Sequence, residues 1–294
     1  MARVATLAFT TLALAGTAIS MPSFDSWSEP RNLATLPGSG PGISTPAVDG
    51  CASLSPDGRT IGFTSNRTGD FDIYLATRSD AQSGFGNVTR LPAPVNGPAT
   101  DSCPTLLQGH RMIFTSTRDD PAGDMYETRR GPNGWSAPRR LGPNINLPGI
   151  QEESAAVYED SKGREVIMFS RRNGSDPGKI YESIDGAPAT LVAGGPHSSA
   201  ADNRPSITHD GLTIFWDSTR AGSQAEDIYY ATRSSTSQPF GPAIHLQSLS
   251  GDSFDARPFI SWDGSMLTFS SIRAGNPSPA PDIWFATRSR ANGR

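Results

Sequence analysis

Asp49 to Arg78 reads DGCASLSPDGRTIGFTSNRTGDFDIYLATR, a sentence of short strands and tight turns. An acid opens an apolar strand, Ser55-Pro56-Asp57-Gly58 makes a hairpin turn, and the β-branched and aromatic run Thr60 to Ser65 ends in Asn66-Arg67. Asp72-Ile73-Tyr74 then opens a third strand. Pro-Asp-Gly between two such runs is a turn signal with a mechanism, since Pro presets φ and Gly accepts the positive φ that a tight hairpin demands. The pattern returns from Asp101 (DSCPTLLQGHRMIFTSTR, then DMYETRR) and Glu153 (ESAAVYEDSKGREVIMFSRR, then KIYES), and again from Asp202 (DNRPSITHDGLTIFWDSTR, then DIYYATR) and Asp255 (DARPFISWDGSMLTFSSIR, then DIWFATR). A strand-and-turn unit recurring about every 50 residues is the mark of a β-propeller with one blade per unit. The expected fold is all-β: a five-bladed β-propeller of four-stranded antiparallel blades, with repeats starting near residues 49, 101, 153, 202 and 255 in a single domain over 21–294.

A fourth strand is announced by an aromatic residue followed six positions later by Leu: Phe85 to Leu91, Trp135 to Leu141 and Phe240 to Leu246. The last repeat has no such segment after it, whereas Trp27 to Leu33, ahead of the first repeat, has the same spacing. The N-terminal strand is therefore expected to complete the blade that begins at Asp255, closing the ring and removing two open edges. Pro104, Pro205 and Pro258 occupy one position of the first strand in three repeats. Because Pro cannot donate to a ladder, that strand is expected to be the free inner edge of its blade. The third repeat diverges most, with Arg171 in place of a serine and Lys179 in place of an aspartate.

Composition narrows the function classes. Gly 30 and Pro 25 are high, as many short strands joined by turns require. The net charge of −4, without long runs of either sign, speaks against nucleic acid as partner, because phosphate binding needs clustered basic charge. Residues 1–20 combine Arg3, the apolar run Val4 to Ala18 and the small residues Ala18 and Ser20, which is the layout of a secretory signal peptide. The mature chain is expected to begin near Met21 with no membrane span, as a monomer in the secreted or periplasmic (cell-envelope) space.

The succession of an acid, Ser-Pro-Asp-Gly, Phe-x-Ser-x-Arg and Asp-Ile-Tyr resembles the TolB-type, WD40-like propeller repeat, and the resemblance runs from residue 27 to 288. It implies a propeller scaffold in secreted, periplasmic or envelope-associated proteins and identifies no reaction. TolB has six blades and a further domain, whereas five repeats and no other domain are counted here, so TolB's own role does not transfer.

Cys51 and Cys103 stand two residues after Asp49 and Asp101, at one position of neighbouring blades. In a secreted chain such a pair suggests a disulfide, with two buried thiols as the alternative. His110, His197, His209 and His245 lack metal-ligand spacing, so no metal and no cofactor are expected. Neither a Gly-x-Ser-x-Gly elbow nor a sialidase aspartate box occurs. The sequons at Asn66, Asn87 and Asn173 matter only in a glycosylating host.

The candidate ligand site is the ring of acids Asp49, Asp101, Glu153, Asp202 and Asp255, which five-fold closure should gather at one mouth of the channel. Arg67, Arg118, Arg220 and Arg273, with Arg172 in the third repeat, end the second strands as ready partners, and Asp72, Asp124, Asp227 and Asp282 should compete for them. Arg204 and Arg257 break the symmetry. They follow their acids by two residues, where the other repeats carry Cys51, Cys103 and Ala155. Positions two apart share a face of a strand, so two guanidiniums should stand near the channel opposite a neutral side, as suits an anionic or polyhydroxyl ligand. The expected function is a non-catalytic scaffold for a protein or glycan ligand. The alternative is a glycosidase with carboxylates at the channel mouth, for which unlike acids with separated pKa values would be the sign.

Overall fold

The computed structural model describes residues 24–291, so the expected signal peptide lies outside the described residues. Five antiparallel sheets follow one another around a central axis. The inner strands are Asp49–Leu54, Asp101–Leu107, Gln151–Glu159, Asp202–Ile207 and Asp255–Ile260. Each pairs with one partner only, the second strand of its own blade, so the inner edge is free and prolines fit there. The fourth strands are short: Gly86–Arg90, Arg139–Arg140, Thr190–Leu191, Ile244–His245 and Arg31–Asn32. The last of these pairs with Asp282–Thr287, Arg31 opposite Phe285 and Asn32 opposite Trp284. Ring closure by the N-terminal strand is thus as the aromatic-to-leucine spacing predicts.

The core is a ring of five apolar clusters, one at each blade-to-blade interface. The second strands supply its centre, with Phe63, Phe114, Phe169, Trp216 and Phe269 almost wholly buried. This is why those runs are β-branched and aromatic on both faces. They are covered by the next blade on each side, and a two-sided burial needs no polar alternation.

Candidate functional site

Every inner strand carries a fully buried acid at or next to its start, held by an arginine. Asp49 pairs with Arg67 (2.5 Å), Asp101 with Arg118 (2.7 Å), Asp202 with Arg220 (2.5 Å) and Asp255 with Arg273 (2.6 Å). The other carboxylate oxygen accepts a backbone N–H from the loop arriving from the neighbouring blade, at Thr45, Gly97, Ser198 or Gly251. Each guanidinium also donates to a carbonyl of that loop and lies over two aromatic rings, as Arg67 does over Phe63 and Tyr74. Acid and arginine therefore latch one blade to the next, and the four aspartates have no surface left for a ligand.

In the third blade the latch is Glu152 with Arg171 (2.8 Å), not Glu153 with Arg172. Glu152 faces Arg171 across the strand pair as Asp49 faces Ser65. The arginine here grows from the serine's position, two residues early, yet its guanidinium reaches the same place over Phe169 and Tyr181. Burial pushes Glu152 up to about 7 despite that partner. Arg172 instead donates to Gln151 at the surface. Nor do the third-strand acids compete for the latch. Asp72 binds Arg90, Asp124 binds Arg140, Asp227 faces His245 and Asp282 accepts from Asn32, each partner lying on the fourth strand. They fasten the outer half of the blade.

Two residues past each latch acid the inner strand bulges. Cys51, Cys103, Ser154, Arg204 and Arg257 all have φ between 48° and 59°, a left-handed conformation that residues other than Gly seldom adopt. The register of the strand pair shifts at the same place in all five blades. Four of the five backbone N–H groups so turned donate to a side chain on the second strand of the preceding blade. Cys51 donates to Ser270, Cys103 to Thr64, Arg204 to Ser170 and Arg257 to Asp217. The third blade's residue at this position is Ser154, not Ala155. The bulge turns all five side chains toward the channel, where they share one narrow lining. Cys51 and Cys103 form a disulfide with their Cα atoms 5.0 Å apart, so the first two blades are covalently joined across the channel wall.

Asp217 stands where the other blades carry Thr64, Thr115, Ser170 and Ser270. It accepts from the Arg257 backbone at 2.9 Å and from the Arg204 guanidinium at 3.2 Å. Arg204 also reaches Glu153 at 3.5 Å and Glu226 at 3.4 Å. Burial lifts Asp217 to about 6. Burial alone would lower Arg204, but Asp217, Glu153 and Glu226 together raise it. Both expected guanidiniums stand at the channel, and Arg204 is paired there with three carboxylates. Arg257 differs. Burial and the neighbouring Arg204 lower its pKa. Among the described residues its guanidinium has neither an ion-pair nor a hydrogen-bond partner. It lies over the Phe254 ring at 5.8 Å from the centroid. It lines a mouth cavity of about 100 Å³ with Glu153, the disulfide, Phe71 and Ser102.

Of the expected site residues, the structure brings Glu153, Arg204 and Arg257 together at the mouth and withdraws the four aspartates into the blade joints. Asp217 and Glu226 were not foreseen. The legible signal for Asp217 was its break in a series of hydroxyls; Glu226 lies in a loop outside the repeat and gave none. No helix among the described residues is long and apolar enough to cross a membrane.

No protein-family profile and no curated protein matches this chain. In three dimensions it is similar to a TolB from Agrobacterium tumefaciens, with 18% identity over 87% of this chain and 81% of that one and a TM-score of 0.51. It is similar also to the Bacillus subtilis arabinanase Arb43A, with 11% identity over 84% of this chain and 95% of that one and a TM-score of 0.57. The catalytic domain of a Coprinopsis cinerea GH62 alpha-L-arabinofuranosidase gives 12% identity, 93% and 100% coverage and again 0.57. At such identities the likeness is one of fold: the chain has a propeller architecture found in a TolB and in glycoside hydrolases alike.

Proposed function

We propose that this chain is a secreted or envelope-associated, TolB-like binding propeller that holds its ligand at the acid-side mouth of the channel and does not transform it. The observation that carries this reading is the Arg257 guanidinium, half-buried beside the mouth cavity and without an ion-pair or hydrogen-bond partner among the described residues. A desolvated cation gains most from an anionic acceptor, which a guanidinium takes in a two-pronged hydrogen bond. Glu153 beside it offers an acceptor for a hydroxyl or amide. The cavity of about 100 Å³ is below the roughly 300–1,000 Å³ of pockets that enclose whole small molecules. It suits the anionic end of a larger glycan or protein ligand. The test is a glycan array and a panel of acidic peptides probed with wild type and with Arg257→Ala. Binding should be lost in the variant while its thermal melting is kept; binding that survives places the site elsewhere.

One observation favours a glycosidase instead. Glu153, Asp217 and Glu226 are unlike carboxylates on two blades only, and burial lifts Asp217 to about 6, as a general acid requires. Against it, all three converge on Arg204 and share its single positive charge. A panel of aryl glycosides decides: no turnover is expected, and turnover abolished by Glu153→Gln or Glu226→Gln would replace the binding reading.

A further inference from the structure

A second site lies on the opposite face, at the seam where the last blade meets the first. In three blades the residue after the third strand is an arginine whose Nε donates to the glycine carbonyl of its own blade's hairpin turn: Arg78 to Gly58 (2.7 Å), Arg233 to Gly211 (2.8 Å) and Arg288 to Gly264 (2.8 Å). The same arginine stacks on the aromatic residue that opens the fourth strand, Phe85, Phe240 or Trp27. What differs is the neighbouring blade. At the seam between the third and fourth blades Tyr158 fills the space: its Oη accepts from Arg233 at 2.7 Å, and Arg233 is only 7% exposed. A Cβ on Gly211 would stand 2.4 Å from that ring, so the seam is full. In the last blade, Ser261 holds Tyr158's place. Its hydroxyl is committed to its own turn, donating to Asp263 (2.7 Å) and accepting from the Met266 backbone (2.9 Å). Nothing then fills the space before Arg78, and a cleft of about 660 Å³ opens between the blades, within the range of sites that hold small molecules or oligomer segments.

Arg31, Arg78 and Arg288 all line this cleft. None has a carboxylate within ion-pair distance among the described residues, and burial lowers both Arg78 and Arg288. Asp57 and Asp263 line it too, Asp57 tied to its turn by one oxygen and Asp263 accepting from the Ser265 hydroxyl on both. Trp262 lies beside them, stacked on His209 at 3.7 Å between ring centroids. We infer that the cleft between the last and first blades binds a carboxylate-bearing saccharide, an acidic oligosaccharide segment. Guanidiniums held by backbone carbonyls and rings but lacking a carboxylate can take one from a ligand. The two aspartates can accept sugar hydroxyls but would repel a polyanion such as a nucleotide triphosphate, and the indole supplies an apolar face for a pyranose ring.

Titration calorimetry of the whole protein with trigalacturonate, and with galactotriose as the neutral control, tests this. Trigalacturonate should bind and galactotriose should not. Arg31→Glu and Trp262→Ala, both at partly open positions outside the turn hydrogen bonds, should each weaken binding by at least about tenfold. Arg257→Ala, at the other face, should leave it unchanged. The inference is overturned if trigalacturonate does not bind, if galactotriose binds equally, or if binding survives Arg31→Glu and Trp262→Ala. It is also overturned if Arg257→Ala alone removes binding, which would assign the saccharide to the channel mouth and leave the proposed function standing.

Discussion

At the starts of the inner strands five blades repeat one solution; two residues further on, the same strands carry Cys51, Cys103, Ser154, Arg204 and Arg257. The first set is fully enclosed. Its side chains have no exposed surface on the acid side, and each carboxylate is saturated by a guanidinium and a loop N–H. The second set borders the channel, and the acids gathered on Arg204 include Glu153 and Glu226 with 19% and 26% of their side chains exposed. Repetition marks what the ring needs five times over, which is a joint between blades. Departure from repetition marks what it needs once, and a ligand is met once.

Substitutions separate the joints from the channel lining. The largest effect is expected at a joint. Asp202 accepts from Trp216, Ser218, Arg220 and the Ser198 backbone, so Asp202→Ala strands a largely buried guanidinium. It should cost roughly 3–5 kcal/mol in urea unfolding; a loss under about 1 kcal/mol would mean the repeated acids are not joints. Next is the disulfide. Replacing Cys51 and Cys103 by Ser frees a 52-residue separation and should cost roughly 2–4 kcal/mol, with two blades rather than one loosening by hydrogen exchange. Third, Arg204→Ala exposes three carboxylates to one another and should cost roughly 1–3 kcal/mol. Adding Asp217→Ser should recover much of that, and an additive double-mutant cycle would show that the cluster is not a unit.

Asp217→Ser alone restores the hydroxyl of the other blades and should change stability by less than about 1 kcal/mol at pH 7. Its signature is in the pH profile. Burial raises the folded-state pKa of Asp217 from 3.8 to about 6. A raised acid binds its proton more tightly in the folded state, so its contribution is full below about 3.8 and is lost as pH rises through about 6. Wild type should therefore lose stability relative to the variant between those values, and parallel profiles would refute the assignment. The smallest effect is at Arg257, which has no partner to lose among the described residues. Arg257→Ala should leave thermal melting within about 0.5 kcal/mol of wild type while binding at the mouth disappears.

Much of this molecule was written in the chain itself. The period, the turn residues and the aromatic-to-leucine spacing determined five blades and their closure by Trp27 to Leu33, because β-hairpins are local and their signals lie within a few residues. Which acid joins the third blade was not so determined. Glu152 and Glu153 are adjacent and chemically alike, and only the pairing register, with its bulge two residues on, sends one into the joint and the other to the channel. The same holds for Arg204. The sequence pattern places its Cα near the axis, but the bulge brings its side chain to Asp217 and Glu226, 13 and 22 residues away on the same blade, and to Glu153 of the blade before. The open cleft beside Arg78 depends on a residue of the far blade, Ser261 where another seam has Tyr158. Charge balance and cavity shape are sums over neighbours distant in the chain, so tertiary structure alone decided them.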